Sequence, residues 1–356
     1  MFDLAGRALR CLDPETAHAV TLAGLKLAAR LPAPKLDPRL KTEVFGLTFP
    51  SRVGMAAGFD KNAEACGAAP WMGLGFWEVG TVTPERQFRV GLPWHIRRFP
   101  EERSIVNRLG LPNDGSLEVL CRMRRLLRKK SGIVGVSLGA NSDSSDLIGD
   151  FVMGVGAFSA VADYLVLNVS CPNVQGFRDL HWHLRELFER VLGARAYCAC
   201  AGSAYIPILL KISPDVTLSY LDEIVRVARD TKIDGMIISN TSRLLAGGGG
   251  LSGWPIFVKS TRLLANAYLR VEGQFPLIGT GGICTAVEAR AKCEAGASLI
   301  QLYTGLVYAP GLAFAINDEF AERPPVVGSQ AETWALDWAG AGPHEVAQAA
   351  RPEPRP

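Results

Sequence analysis

Nowhere does the chain approach the roughly 18 uninterrupted apolar residues that a membrane-crossing helix needs, and its first residues lack the basic, apolar, small-residue order of a secretory signal. A soluble or peripherally attached protein is expected. Charge of one sign is equally scarce. The 38 Lys and Arg face 35 Asp and Glu, a net +3 without the clustered excess of a nucleic-acid binder, so nucleic acid is set aside as a partner. Eight cysteines form no C-x-x-C pair, Cys198 and Cys200 being only C-x-C, and the five histidines are dispersed. No metal site is expected, and the thiols are predicted to be reduced, as in a cytosolic compartment.

What the chain does have is apolar material: 48% hydrophobic residues, 21% charged and 37 glycines describe a globular α/β protein with a sizeable core. From Pro50 onward, short β-rich apolar runs alternate with helix-like segments. They are residues 53–58, 76–82, 133–138, 164–169, 207–212, 235–239, 276–279 and 298–303. Runs this apolar suit parallel strands covered on both faces, and such units close a (β/α)8 TIM barrel of about 250 residues; a doubly wound open sheet is the alternative. Residues 1–40 read as an N-terminal extension of two helices, the second starting at Asp13-Pro14-Glu15 with an Asp N-cap and running to about Arg30. Its Ala17, Val20, Ala28 and Leu31 are expected on one face, with Lys26 and Arg30 placed for a headgroup layer, or else the helix packs on the barrel itself. The barrel is expected to span 41–323. Residues 324–356, rich in Pro, Ala, Gly and Glu without periodicity, are expected to be a loose tail.

A barrel carries its chemistry on the loops after its strands, and here those ends are polar: Lys61, Thr81, Ser137, Cys171, Lys211, Asn240, Gly281 and Thr304. In Ala56-Ala57-Gly58-Phe59-Asp60-Lys61, small residues let the backbone approach a planar ligand beside a cation; the plainer reading is a turn with a surface lysine. The segment Asn168-Val169-Ser170-Cys171-Pro172-Asn173 sets a thiol between two carboxamides. Asn168 and Asn173 match the alternating N–H and C=O edge of a pyrimidine, and Cys171, whose type has an ordinary pKa of about 8.5, can abstract a carbon-bound proton. A buried structural cysteine is the alternative. Lys211 puts an ammonium at the inner end of the fifth strand, where it would stabilise the negative charge of a reduced flavin or form a structural ion pair. Asn107, Ser239, Asn240 and Thr241 add amides and hydroxyls that, taken singly, are turn or cap residues. Glycine-bearing loops at 247–253, 279–282 and 303–305 offer backbone N–H groups to one phosphate. Two rim lysines also leave open a lyase or aldolase working through Schiff bases.

The ordered series AAGFDK, VGTVTP, VNRLG, NVSCPN, LKISPD, SNTS, GGLSG, IGTGG and QLYTG resembles the dihydroorotate dehydrogenases over about residues 1–320, and the helical extension resembles their membrane-associated, quinone-reducing class. The resemblance implies FMN held by Ala57, Gly58, Thr81, Ser137, Asn168, Lys211 and Ser239, with its phosphate at Gly253, Gly281, Gly282, Tyr303 and Thr304. It implies a dihydroorotate-like substrate held by Lys61, Asn107, Asn168, Asn173, Asn240 and Thr241, with Cys171, Lys61 and Lys211 as the catalytic set. Quinone would enter under the N-terminal helices near Arg98, with the protein peripheral on the cytoplasmic side of a membrane and active in pyrimidine biosynthesis. The chain departs from that class in carrying Cys171 where serine is usual, Ser137 where asparagine is usual, and Leu111-Pro112 where a phenylalanine is usual. A paralogue acting on another cyclic amide or acid, and a non-catalytic flavin-binding protein, are the alternatives.

Overall fold

The computed structural model of the protein describes residues 2–89, 91–92, 94–126, 132–170, 183–243 and 249–336. Two helices, α1 (Phe2–Arg10) and α2 (Pro14–Ala28), precede a short hairpin of β1 (Thr42–Val44) and β2 (Leu47–Phe49). There follow β3 (Val53–Met55), β4 (Phe76–Val82), β5 (Ile96–Phe99), β6 (Ser104–Asn107), α3 (Ser116–Leu126), β7 (Ile133–Leu138), α4 (Leu147–Phe158), β8 (Tyr164–Asn168), α5 (Leu184–Cys200), β9 (Ile208–Ile212), α6 (Leu218–Thr231) and β10 (Gly235–Ile238). The chain continues through β11 (Gly250–Gly253), α7 (Phe257–Val271), β12 (Leu277–Thr280), α8 (Ala286–Glu294), β13 (Ala297–Leu302), α9 (Thr304–Tyr308), α10 (Leu312–Glu322) and α11 (Ala331–Leu336).

Eight of these strands, in the order β10-β12-β13-β3-β4-β7-β8-β9, close a parallel barrel, and they are the eight apolar runs of the sequence. Their inward positions recur every second residue, because successive side chains of a strand point to opposite faces. The lower inward layer is apolar: Phe76, Tyr164, Val166, Leu209, Ile237, Ile278 and Leu299 pack with Phe49 of β2, which caps the barrel floor. Phe76 stands edge-on to Phe49, ring centroids 5.2 Å apart. These rings need space, and β3 and β7 supply it: a Cβ on Gly54 would overlap Phe76 and one on Gly135 would overlap Tyr164. The outward faces of the same strands meet the helices in the main core.

The antiparallel sheet β5-β6-β11 lies over the C-terminal rim. On α2, Asp13 accepts hydrogen bonds from the amides of Glu15 and Thr16 as the expected N-cap. The face assignment for this helix is corrected: Ala17 is 9% exposed but Val20 is 49% and Leu31 53% exposed. The inner face instead carries His18, Leu22 and Leu25, because His18 Nε2 bonds to the Phe59 carbonyl at 2.6 Å and fixes the helix rotation. The expectation of a loose tail from 324 is also corrected for 324–336. The Gly328 amide donates to the Cys293 carbonyl at 3.0 Å, that of Gln330 to the Glu294 carbonyl at 2.9 Å, and α11 rests Trp334 edge-on against Phe257. Residues 337–356 lie outside the described set. Among the described residues no helix is long and apolar enough to cross a membrane.

Candidate active site

Two residues above the apolar floor, the inward positions of β4, β9 and β13 turn polar, giving Glu78, Lys211 and Gln301, all buried. Lys211 Nζ lies 3.4 Å from Glu78 Oε1, Gln301 Nε2 donates to Glu78 Oε2 at 2.5 Å, and the Tyr164 hydroxyl donates to the same oxygen at 3.4 Å. Burial, and then the Glu78 carboxylate, push the Tyr164 phenol well above its ordinary pKa, so it remains a donor. A buried charge needs such partners, since removing a carboxylate from water is costly unless it is paired and hydrogen-bonded.

One layer higher, a chain of hydrogen bonds runs along the rim. The hydroxyls of Ser137 and Thr81 are 2.9 Å apart, and Asn168 Nδ2 donates to Thr81 Oγ1 at 2.7 Å. Asn168 Oδ1 accepts from Ser170 Oγ at 2.9 Å, and Asn240 Nδ2 donates to Ser170 Oγ at 2.8 Å. The Asn240 Oδ1 accepts from the Thr241 amide at 2.8 Å. Across the opening, Asn107 Nδ2 donates to the Gly250 carbonyl at 3.1 Å.

Of these groups, Thr81, Asn107, Asn168, Lys211, Asn240, Thr241 and Gln301 border one continuous cavity of about 700 Å³. Of the predicted site positions, Ala57, Gly58, Lys61, Thr81, Asn107, Asn168, Lys211, Ser239, Asn240, Thr241, Gly253, Gly281, Gly282, Tyr303 and Thr304 line it. Ser137 does not. It is fully buried behind Thr81, whose hydroxyl it supports, so its influence on the cavity passes through Thr81. Cys171 and Asn173 lie outside the described residues.

The turn after β12 is built for close approach of a ligand. Gly281 and Gly282 have φ of +94° and +81°, and a Cβ on Gly282 would overlap the backbone of Phe257. In the described residues no backbone bond uses the N–H of Gly281, Gly282 or Thr304. The other end of the cavity passes beneath α1 and α2, where Leu9, Ala17, His18, Leu22, Arg98 and Pro310 line it. The helices are tied down there: Arg98 donates to the Leu12 carbonyl, and Arg10 Nη1 to that of Tyr308 at 3.0 Å. Burial pulls the His18 imidazole below its usual pKa, and its Nε2–H donates to the Phe59 carbonyl.

A family model described as dihydroorotate dehydrogenase matches residues 39–323. The chain belongs to the dihydroorotate dehydrogenase family. It is 46% identical over 327 residues to a dihydroorotate dehydrogenase (quinone) from Rhodopseudomonas palustris strain BisA53, covering 88% of this chain and 89% of that one. To the protein of the same name from Bradyrhizobium diazoefficiens it is 42% identical over 356 residues, covering 93% and 96%. Among solved structures it resembles the DHODH of Eimeria tenella in complex with ferulenol, with a TM-score of 0.80 and 33% identity over 92% of this chain and 96% of the other.

Several site residues escape a reading that looks only at strand ends. Glu78 and Gln301 sit two residues inside the rim, and Gln301 lines the cavity. The signal was present: a glutamate within an otherwise apolar barrel strand implies a buried cation opposite, and Lys211 is that cation. Asp60, fully buried in the AAGFDK turn, accepts the Glu64 and Ala65 amides at 2.7 Å each and so shapes the turn that carries Lys61.

Proposed function

We propose that the protein oxidises dihydroorotate to orotate on a bound FMN and passes the electrons to a quinone, as a step of pyrimidine biosynthesis. The observation that carries this reading is one continuous cavity, lined by amides and lysines over the barrel mouth and by Leu9, Ala17, Leu22 and Pro310 together with His18 and Arg98 beneath the N-terminal helices. The names of the relatives, dihydroorotate dehydrogenase (quinone), support both ends of it.

The residues fit FMN. The left-handed Gly281 and Gly282 and the start of α9 present amides that enter no backbone hydrogen bond among the described residues, and Gln301 Oε1 is buried at the cavity wall without a hydrogen-bond partner among them, a gap that a ligand N–H would fill. Ala57, Gly58, Thr81, Asn168, Lys211 and Ser239 would hold the ring system, and Gly253, Gly281, Gly282, Tyr303 and Thr304 the phosphate. When bound, FMN supplies the acceptor for the hydride that leaves C6 of the substrate. Lys61 would meet the substrate carboxylate, while Asn107, Asn168, Asn173, Asn240 and Thr241 would pair with its amide edge. Cys171 would take the proton from C5. Lys211, fixed by Glu78, places positive charge where electron density accumulates.

Exposed Leu12, Val20, Leu27 and Leu31 on the extension, flanked by Lys26 and Arg30, support peripheral contact with the cytoplasmic face of a membrane, from which a quinone would enter the cavity beneath the helices. Deleting residues 1–38 is therefore expected to leave flavin reduction by dihydroorotate within about threefold of the full chain and to slow reoxidation by a lipid-like quinone at least about tenfold. The two half-reactions, followed separately by visible absorbance, check this; equal rates for both chains would remove the extension from acceptor access. The reading as a whole is tested by releasing the cofactor and identifying it. FMN is expected, and a colourless protein that ignores added FMN would contradict it.

A further inference from the structure

Lys292 of α8 is fully buried. It is not part of the cavity wall, and no step described above uses it. Among the described residues its one hydrogen bond is to a neutral oxygen, Ser260 Oγ at 2.6 Å. Ser260 Oγ in turn lies 3.0 Å from the Gly281 carbonyl and 3.0 Å from that of Phe257. The ammonium stands 5.4 Å from the centroid of the Phe257 ring, and it is the backbone of this same Phe257 that a Cβ on Gly282 would strike. Lys292 therefore lies directly behind the Gly281-Gly282 turn, linked to it through one hydroxyl.

The nearby carboxylate, Glu288, one turn earlier on α8, accepts the Cys284 amide at 2.6 Å. Its field is the smaller influence on Lys292. Burial dominates and drives the ammonium well below its ordinary pKa. With one neutral hydrogen-bond partner among the described residues, the buried amine is disfavoured in its charged form, and an anion placed close by restores that form. The open amides of Gly281, Gly282 and Thr304 mark where an anion would sit.

We infer that Lys292 is the rear counter-cation of the cofactor phosphate, acting as a positioning residue through Ser260 on the Gly281-Gly282 turn. This rests on the FMN reading above and adds to it that selection for a phosphorylated flavin, over the same ring system without phosphate, comes partly from a side chain the ligand never touches. Flavin-ring and substrate recognition, which would use Thr81, Asn168, Lys211 and Lys61, are independent of it.

The test uses the full chain stripped of flavin and titrated with FMN and with riboflavin, read by flavin fluorescence. Lys292→Met keeps the volume and removes the charge. It is expected to weaken FMN by about ten- to a hundredfold while leaving riboflavin unchanged. Ser260→Ala, which cuts the link and keeps the cation, is expected to give a smaller loss, about three- to tenfold, again confined to FMN. It also serves if Lys292→Met does not fold. An equal loss for both ligands assigns Lys292 a purely structural role and overturns the inference, as does an unchanged FMN affinity. If the unmodified chain itself shows no preference for FMN over riboflavin, the inference falls together with the FMN reading; a preference undiminished by Lys292→Met overturns the inference alone.

Discussion

Lys211→Met is expected to destabilise the fold by about 3–5 kcal/mol and to abolish measurable flavin reduction, two effects that a second substitution separates. The stability loss follows from Glu78. With Lys211 present, that fully buried carboxylate has an ammonium at 3.4 Å, the Gln301 amide at 2.5 Å and the Tyr164 hydroxyl at 3.4 Å. Without it, a charge stays inside the barrel with two neutral donors, and breaking a buried pair from one side costs far more than replacing both partners. Adding Glu78→Gln removes the stranded charge, and the double variant is expected to recover most of the stability in urea unfolding. It should not recover flavin reduction, because the cation that faces the cavity is still missing. Equal unfolding midpoints for the single and double variants would show that Glu78 is not held as an anion by Lys211.

Cys171→Ala is expected to slow flavin reduction by dihydroorotate by about 10²- to 10⁴-fold, the range for losing a positioned general base. The residue follows Ser170, whose hydroxyl joins Asn168 to Asn240 at the cavity edge, so the loop leaves the barrel beside the groups that would align the substrate. FMN binding and orotate binding should persist, since Asn168, Asn240 and Lys61 are unchanged. In the unmodified chain the rate should rise with pH and level off near the range of a thiol, about 8.5, because the thiolate is the form that accepts the proton. Cys171→Ser should regain part of the loss and keep climbing at higher pH. Rapid-mixing measurements across pH check the pair. A wild-type rate from Cys171→Ala, with dihydroorotate as substrate, would assign the base elsewhere.

The barrel was legible because both faces of a parallel strand are buried, which writes each strand as an apolar run that composition alone detects. The rim was legible for a related reason: polar residues such as Thr81, Asn240 and Thr304 stand where those runs stop. What lay inside the runs was harder to see. Glu78 and Gln301 belong to an inward layer defined by alternation, and a polar layer between an apolar floor and a polar rim appears only when the strands are laid side by side. Lys292 is invisible to pattern reading for the opposite reason, since a lysine in Ala286–Glu294 reads as a solvated helix face until α8 is seen packed on α7 and β13. The rotation of α2 is set by His18 and Phe59, 41 residues apart, and α11 is set by Trp334 on Phe257. Both depend on tertiary contacts that outweigh weak local periodicity in short helices.

The most direct test of the account is a single anaerobic turnover. The purified chain, in its flavin-bound form, is mixed with one equivalent of dihydroorotate, and the visible flavin absorbance and the appearance of orotate are followed together. The flavin is expected to bleach, one orotate to form per flavin reduced, and a quinone then to restore the colour. A flavin-loaded protein that keeps its colour with dihydroorotate, yet bleaches with another cyclic amide or acid, would contradict it.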